Sequence, residues 1–243
     1  MSMSAPTANH LATLLRAFTV LLGLLVATPL CLGEDAAPDP HAILKSVRLS
    51  QAAQERTLRG SLRTGGKTIP FRLVSSPGVV RYEFSDPAEV LQLRFGPKDS
   101  RLEEITKGAT EKITPAHFDA RVRDTGISYE DLSMHFLYWQ NAAIEGEQTM
   151  VLQKCWIVRV EPDSRGSSQY SKVLLWIGKN SGALMQAEAY DANGKVARRF
   201  KVISGQKTDE GFWILKEMRI ESMIGGAEKT YLEIDGEEGQ KKK

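Results

Sequence analysis

The chain has 243 residues, 42% hydrophobic and 26% charged, a balance that excludes collagen, an extended coiled coil and a disordered tail protein. Its 32 Lys and Arg nearly cancel its 30 Asp and Glu. A net charge of +2 supplies no general field for steering nucleic acid, and no nucleic-acid partner is expected.

The first 33 residues read as a targeting segment. Arg16 is the only charged side chain before Glu34, and Ala17–Leu32 (AFTVLLGLLVATPLCL) carries no charge before the small residue Gly33. That is the plan of a cleaved secretory signal, shorter than the roughly 20 apolar residues of a spanning helix. Cleavage after Gly33 is expected, with an uncleaved N-terminal anchor as the alternative. Cys31 lies in this segment behind Leu30 rather than a small residue, which disfavours lipid attachment. Cys155 is then left without an intrachain disulfide partner, and its strand-like surroundings predict a buried small hydrophobe. Residues 34–40 read as a spacer, 41–235 as one domain and 236–243 (GEEGQKKK) as a polar tail.

His41–Gln51 (HAILKSVRLSQ) predicts a helix with Ile43, Leu44 and Val47 on one face. Alternation at period two follows. Ile69, Phe71 and Leu73, then Val80, Tyr82 and Phe84, then Leu91, Leu93 and Phe95 point to one face of antiparallel strands. Gly65-Gly66, Ser76-Pro77-Gly78 and Asp86-Pro87 supply turn chemistry between them. Ser61–Thr68 (SLRTGGKT) is a near miss to a phosphate loop, but it lacks the first glycine and runs on as strand, so it reads as a hairpin turn.

Pro115–Asn141 predicts a second helical region. Ser128 and Asp131 fit a capping box at its centre, and the apolar run Leu132–Trp139 (LSMHFLYW) follows. That run has more apolar surface than one helix face can hide. It is either a fully buried segment or a lid. Strand runs then cover 149–160, 170–178, 183–190, 195–203, 212–222 and 230–234. Asn193-Gly194 is the strongest hairpin signal among their turns. Ten or eleven strands with two helical insertions should curl, and a curled sheet under helices encloses an apolar hollow. Trp156, Val158, Leu174 and Trp176 are expected to continue its wall.

No catalytic motif stands against these readings. His41, His117 and His135 lack metal spacing, no G-x-S-x-G or C-x-x-C occurs, and no metal or cofactor is expected.

Asp124–Leu132 (DTGISYEDL), Cys155 within LQKCWIVRVEP, Tyr170–Gly178 (YSKVLLWIG), Ala189–Lys195 (AYDANGK) and Gly211–Met218 (GFWILKEM) resemble, in order and spacing, the outer membrane lipoprotein-sorting protein family. That family is similar in fold to the periplasmic carrier LolA and the receptor LolB. The resemblance spans roughly residues 43 to 234. It implies a mainly β fold: an unclosed barrel of curled antiparallel sheet with helices as a lid over an apolar cavity. It also implies non-catalytic binding of lipidated proteins or acyl chains in the periplasm, in exchange with envelope transport machinery. The expected cavity wall is Phe71, Leu73, Val80, Tyr82, Phe84, Leu91, Leu93, Phe95, Trp156, Val158, Leu174 and Trp176, with Leu132, Phe136 and Trp139 in the lid of a monomer. The alternatives are an envelope accessory module that binds protein on the curved sheet and a hydrolase with an unrecognised site.

Overall fold

A computed structural model describes residues 38–52, 55–151, 153–164, 166–208, 211, 213–223 and 228–237. The expected signal segment, most of the spacer and residues 238–243 lie outside the described residues.

Helix α1 (Pro40–Ala52) forms where the 3.6-residue period of Ile43, Leu44 and Val47 predicts it. Six strands follow as a meander: β1 (Arg56–Thr64), β2 (Lys67–Ser76), β3 (Val79–Ser85), β4 (Ala88–Phe95), β5 (Ser100–Thr106) and β6 (Ala109–Lys112). A crossover from Ile113 to Gln140 holds three 3-10 turns and α2 (Tyr129–Ser133). Seven more strands complete the fold: β7 (Asn141–Met150), β8 (Gln153–Glu161), β9 (Lys172–Gly178), β10 (Leu184–Tyr190), β11 (Val196–Lys207), β12 (Trp213–Ser222) and β13 (Glu228–Glu237).

All thirteen strands join one antiparallel sheet in the order β6-β5-β4-β3-β2-β1-β13-β12-β11-β10-β9-β8-β7. The two meanders meet where β1 pairs with β13, Leu62 opposite Leu232. The sheet therefore has free edges at β6 and β7 and does not close into a barrel. The crossover must connect those two edges, so it runs the full width of the sheet.

Alternation decides the two faces. The inner face, covered by α1 and the crossover, carries two apolar clusters. One gathers Leu58, Leu62, Phe71, Val80, Tyr82, Phe84, Leu91, Leu93, Leu102, Ile220 and Ile234 against Ile113, Val122, Ile127 and Leu132 of the crossover. The other gathers Val158, Val160, Val173, Leu175, Ile177, Ala187 and Ala189 against Leu44 and Val47 of α1 and Phe136–Trp139. Phe95 and Phe200 touch both. The outer face is a ladder of cross-strand charges, with Arg72–Glu83 at 3.1 Å, Arg199–Glu188 at 2.8 Å and Arg199–Glu221 at 3.7 Å.

Two sequence expectations need correction. The run 149–160 is not one strand: β7 and β8 turn back between Met150 and Gln153, which stand opposite each other. The second helical region is mostly 3-10 turn. Its α-helix stops after Ser133, where Met134 takes the left-handed region at φ 49°. That break re-aims the chain, so Leu132 enters one cluster and Phe136, Leu137, Tyr138 and Trp139 the other. A regular helix could not send one short run into both.

Candidate functional site

The expected wall residues of β2, β3 and β4 stand together on the inner face. Phe71, Val80, Tyr82, Phe84, Leu91 and Leu93 are buried, while Leu73 and Phe95 are half-buried beside them. Phe71 meets Tyr82 and Phe84 edge-on, with ring centroids 5.6 and 6.0 Å apart. Burial in this setting pushes the Tyr82 phenol up to about 12.

Trp156 and Val158 also face inward, within the second cluster. Leu174 and Trp176 do not. Val158 pairs with Leu175 and Trp156 with Ile177, so Leu174 and Trp176 point to the outer face beside Arg159 and Ile157. Both faces of KVLLWIG are apolar, so the alternation there carried no register. Trp176 is instead held by its indole N–H, which donates to Gln148 Oε1 at 2.7 Å. Cys155 is fully buried, and burial raises its thiol pKa, leaving it a packing residue.

The expected lid residues Leu132, Phe136 and Trp139 are all buried in the crossover. The motif DTGISYEDL acts as a clasp that ties this crossover to the sheet. Thr125 Oγ1 donates to Val122 O at 2.7 Å, and the Gly126 N–H donates to Thr230 Oγ1 of β13 at 2.9 Å. A Cβ at Gly126 would crowd that hydroxyl at 3.0 Å, which explains the glycine. Ser128 and Asp131 form the predicted capping box.

Both carboxylates of the motif do more than cap. Glu130 is fully buried; it accepts from the Ser168 hydroxyl, and the Gln169 N–H donates to it at 3.1 Å. Asp131 Oδ1 accepts from Tyr170 Oη at 2.6 Å. Asp131 Oδ2 accepts from the Ser128 N–H at 2.8 Å and lies 3.3 Å from Arg198 Nε of β11. The Arg198 contact is a Coulombic pair rather than an aligned hydrogen bond, because Nε lacks hydrogen-bond geometry. Burial raises the pKa of both carboxyls, opposed at Asp131 first by Arg198 and then by the Tyr170 hydroxyl. Asp131 still only accepts, as an ionised carboxylate does.

Further along, Arg123 lies over the Phe84 ring at 5.0 Å and pairs with Glu89 at 3.1 Å. Ser100 Oγ donates to Ser133 O at 2.8 Å. The crossover is thus tied to β13, β11, the β8–β9 connection, the β3–β4 turn and the start of β5.

His135 packs against Phe118 at 6.3 Å, and burial lowers its pKa. Among the described residues no three His, Cys, Asp or Glu side chains converge to hold a metal. A cleft of about 170 Å³ lies by the β1–β2 turn, lined by Arg63, Thr64, Gly65, Gly66, Thr68, Lys229 and Tyr231, away from the inner face.

A family model described as "Uncharacterized protein" matches residues 107–241, more than half of the chain. The chain belongs to that family. Its match begins just before the crossover and takes in the clasp and the whole second meander. No curated protein matches the chain. Three solved structures share the fold at low identity. An outer membrane lipoprotein-sorting protein domain from Vibrio parahaemolyticus aligns at 13% identity with TM-score 0.63, covering 81% of this chain and 90% of its own. A LolA superfamily protein from Nitrosomonas europaea aligns at 12% identity with TM-score 0.60, covering 85% and 96%. A DUF1329 family protein from Desulfovibrio piger aligns at 16% identity with TM-score 0.58, covering 84% and 96%. The fold is LolA-like.

Proposed function

We propose that the protein is a non-catalytic envelope carrier that holds an acyl chain, free or on a lipidated protein, between the inner face of its sheet and the crossover. The observation that supports this most is topological. An apolar face runs across most of a 13-stranded unclosed sheet, and one segment of 28 residues, 113–140, straps it from edge to edge. Half-buried Leu73, Phe95, Phe200, Met218 and Leu232 flank the two buried clusters. That apolar surface is the entry for a chain-like ligand, with the strap lifting as it enters.

Leaving Arg198 without Asp131 accounts for roughly 3–5 kcal/mol of the cost of opening. Each methylene taken from water returns about 0.8 kcal/mol, so about four to six methylenes offset that part. Export through a cleaved Ala17–Gly33 signal would place the carrier in the periplasm, where its donor and acceptor would be membrane-bound machinery. The similar structure named for outer membrane lipoprotein sorting is consistent with this cargo class.

The test is extraction of the purified protein into organic solvent, followed by mass spectrometry and by titration of the stripped protein with a fluorescent acyl probe. Saturable one-to-one binding, displaced by fatty acid and weakened by Phe200→Ser, is expected. A stripped, folded protein that ignores the probe would rule the proposal out.

A further inference from the structure

Alternate turns of an antiparallel meander share one end of the sheet. Glu237 ends β13 beside the start of β1, so the β11–β12, β9–β10 and β7–β8 turns lie at that same end. The loops at the opposite end read as ordinary turns: Gly65-Gly66, Asp86-Pro87, Lys107-Gly108 and Asp191–Gly194.

The β7–β8 loop breaks that pattern. Its two residues are Val151 and Leu152, where a two-residue hairpin favours Asn-Gly. Val151 is held at φ 45°, in the left-handed region that a β-branched side chain avoids, and it is 71% exposed. Nothing about folding asks for an apolar, β-branched residue there. Four strand spacings away, about 19 Å along the sheet, the β11–β12 tip presents Trp213 at 70% exposure. Lys207 lies over its ring at 5.6 Å. Between the two tips, Ser46 of α1 lies against Gly182 of the β9–β10 turn, and Leu49, one helical turn on, is 59% exposed. Five large hydrophobic side chains among the described residues are strongly exposed, and Leu49, Val151 and Trp213 share this end.

Lys154 and Lys179 flank Val151 and the β9–β10 turn, with Lys179 paired to Glu147. Lys207 at one tip and Lys154, three residues from Val151, at the other put a cation beside each exposed apolar side chain.

We infer that this end of the sheet is a membrane-contact surface, with Trp213 and Val151 entering the interface of a bilayer that contains anionic phospholipid. A tryptophan beside a lysine suits that zone, where one side is apolar and the other wet. Two apolar tips 19 Å apart resting on one plane would stand the sheet upright on the bilayer. The inference rests on a different surface from the proposed cargo site, and its test reads no cargo.

The exported protein is floated with vesicles of phosphatidylethanolamine and phosphatidylglycerol, and its tryptophan emission is read with brominated lipid in the same vesicles. Binding is expected, with bromolipid quenching that Trp213→Phe largely removes. Val151→Asn/Trp213→Ser should lower the vesicle-bound fraction at least fivefold, whereas Met223→Ser, exposed at the other end, should leave it unchanged. Asn suits the left-handed turn, so the double variant should fold. Absence of vesicle binding would overturn the inference. So would quenching that survives Trp213→Phe, a folded double variant that floats like the parent, or equal binding to purely zwitterionic vesicles.

Discussion

Asp131→Asn is the sharpest probe of the clasp. The substitution keeps shape and leaves an acceptor for the Ser128 N–H, but it removes the charge that faces Arg198 at 3.3 Å. Both side chains are nearly shielded from water, at 1% and 10% exposure, so solvent offers Arg198 little compensation. Breaking one partner of a buried pair costs about 3–5 kcal/mol. For a domain of this size that lowers Tm by roughly 6–20 °C. Calorimetry and urea titration at pH 7 measure it. The double variant Asp131→Asn/Arg198→Met should recover a large part of the loss, because the unpaired cation goes with its partner. A single variant within about 1 kcal/mol of the parent would refute an ionised Asp131, and with it the clasp.

Three further outcomes follow from the same geometry. Glu130 has its folded pKa raised by burial, so its contribution to stability is fully present below 4.5 and is lost as pH rises through the raised value; Glu130→Gln should flatten the urea midpoint against pH across that window, and parallel curves would contradict this. Gly60→Ala should be strongly destabilising, since a Cβ there falls 2.5 Å from Glu233 O and 2.7 Å from the Phe71 ring at the junction of the two meanders; an unchanged urea midpoint would show that the junction yields. Val151→Asn should stabilise by about 1 kcal/mol by relieving the left-handed valine, read as a higher urea midpoint, and a lower midpoint would deny the strain.

The strands legible in the sequence were those with one dry face. In β2, β3 and β4, apolar and polar residues alternate and Gly or Pro marks the turns, so face and register could both be read. The β7–β8 turn was invisible because Val151-Leu152 lacks turn chemistry and fuses two strands into one apolar run. Leu174 and Trp176 were assigned to the wrong face because β9 is apolar on both sides, which leaves alternation without a phase. Ser128 and Asp131 could be read as a cap, being three residues apart. The reach of Asp131 to Tyr170 and Arg198 could not, because it depends on the β8–β9 connection and β11 lying beneath the crossover. Local capping chemistry and a long-range clasp use the same residue, and only the first has a sequence signature.

The central claim is that the crossover lifts from the inner face when an acyl chain enters. Trp139 reports it, because it is 2% exposed within the crossover's contact with the second cluster. With Trp156, Trp176 and Trp213 replaced by Phe, an acylated peptide is titrated while Trp139 emission is followed. A saturable change in intensity and wavelength, with the same midpoint as probe binding, is predicted. Emission that stays constant at saturating ligand would contradict the account and leave the crossover as fixed packing.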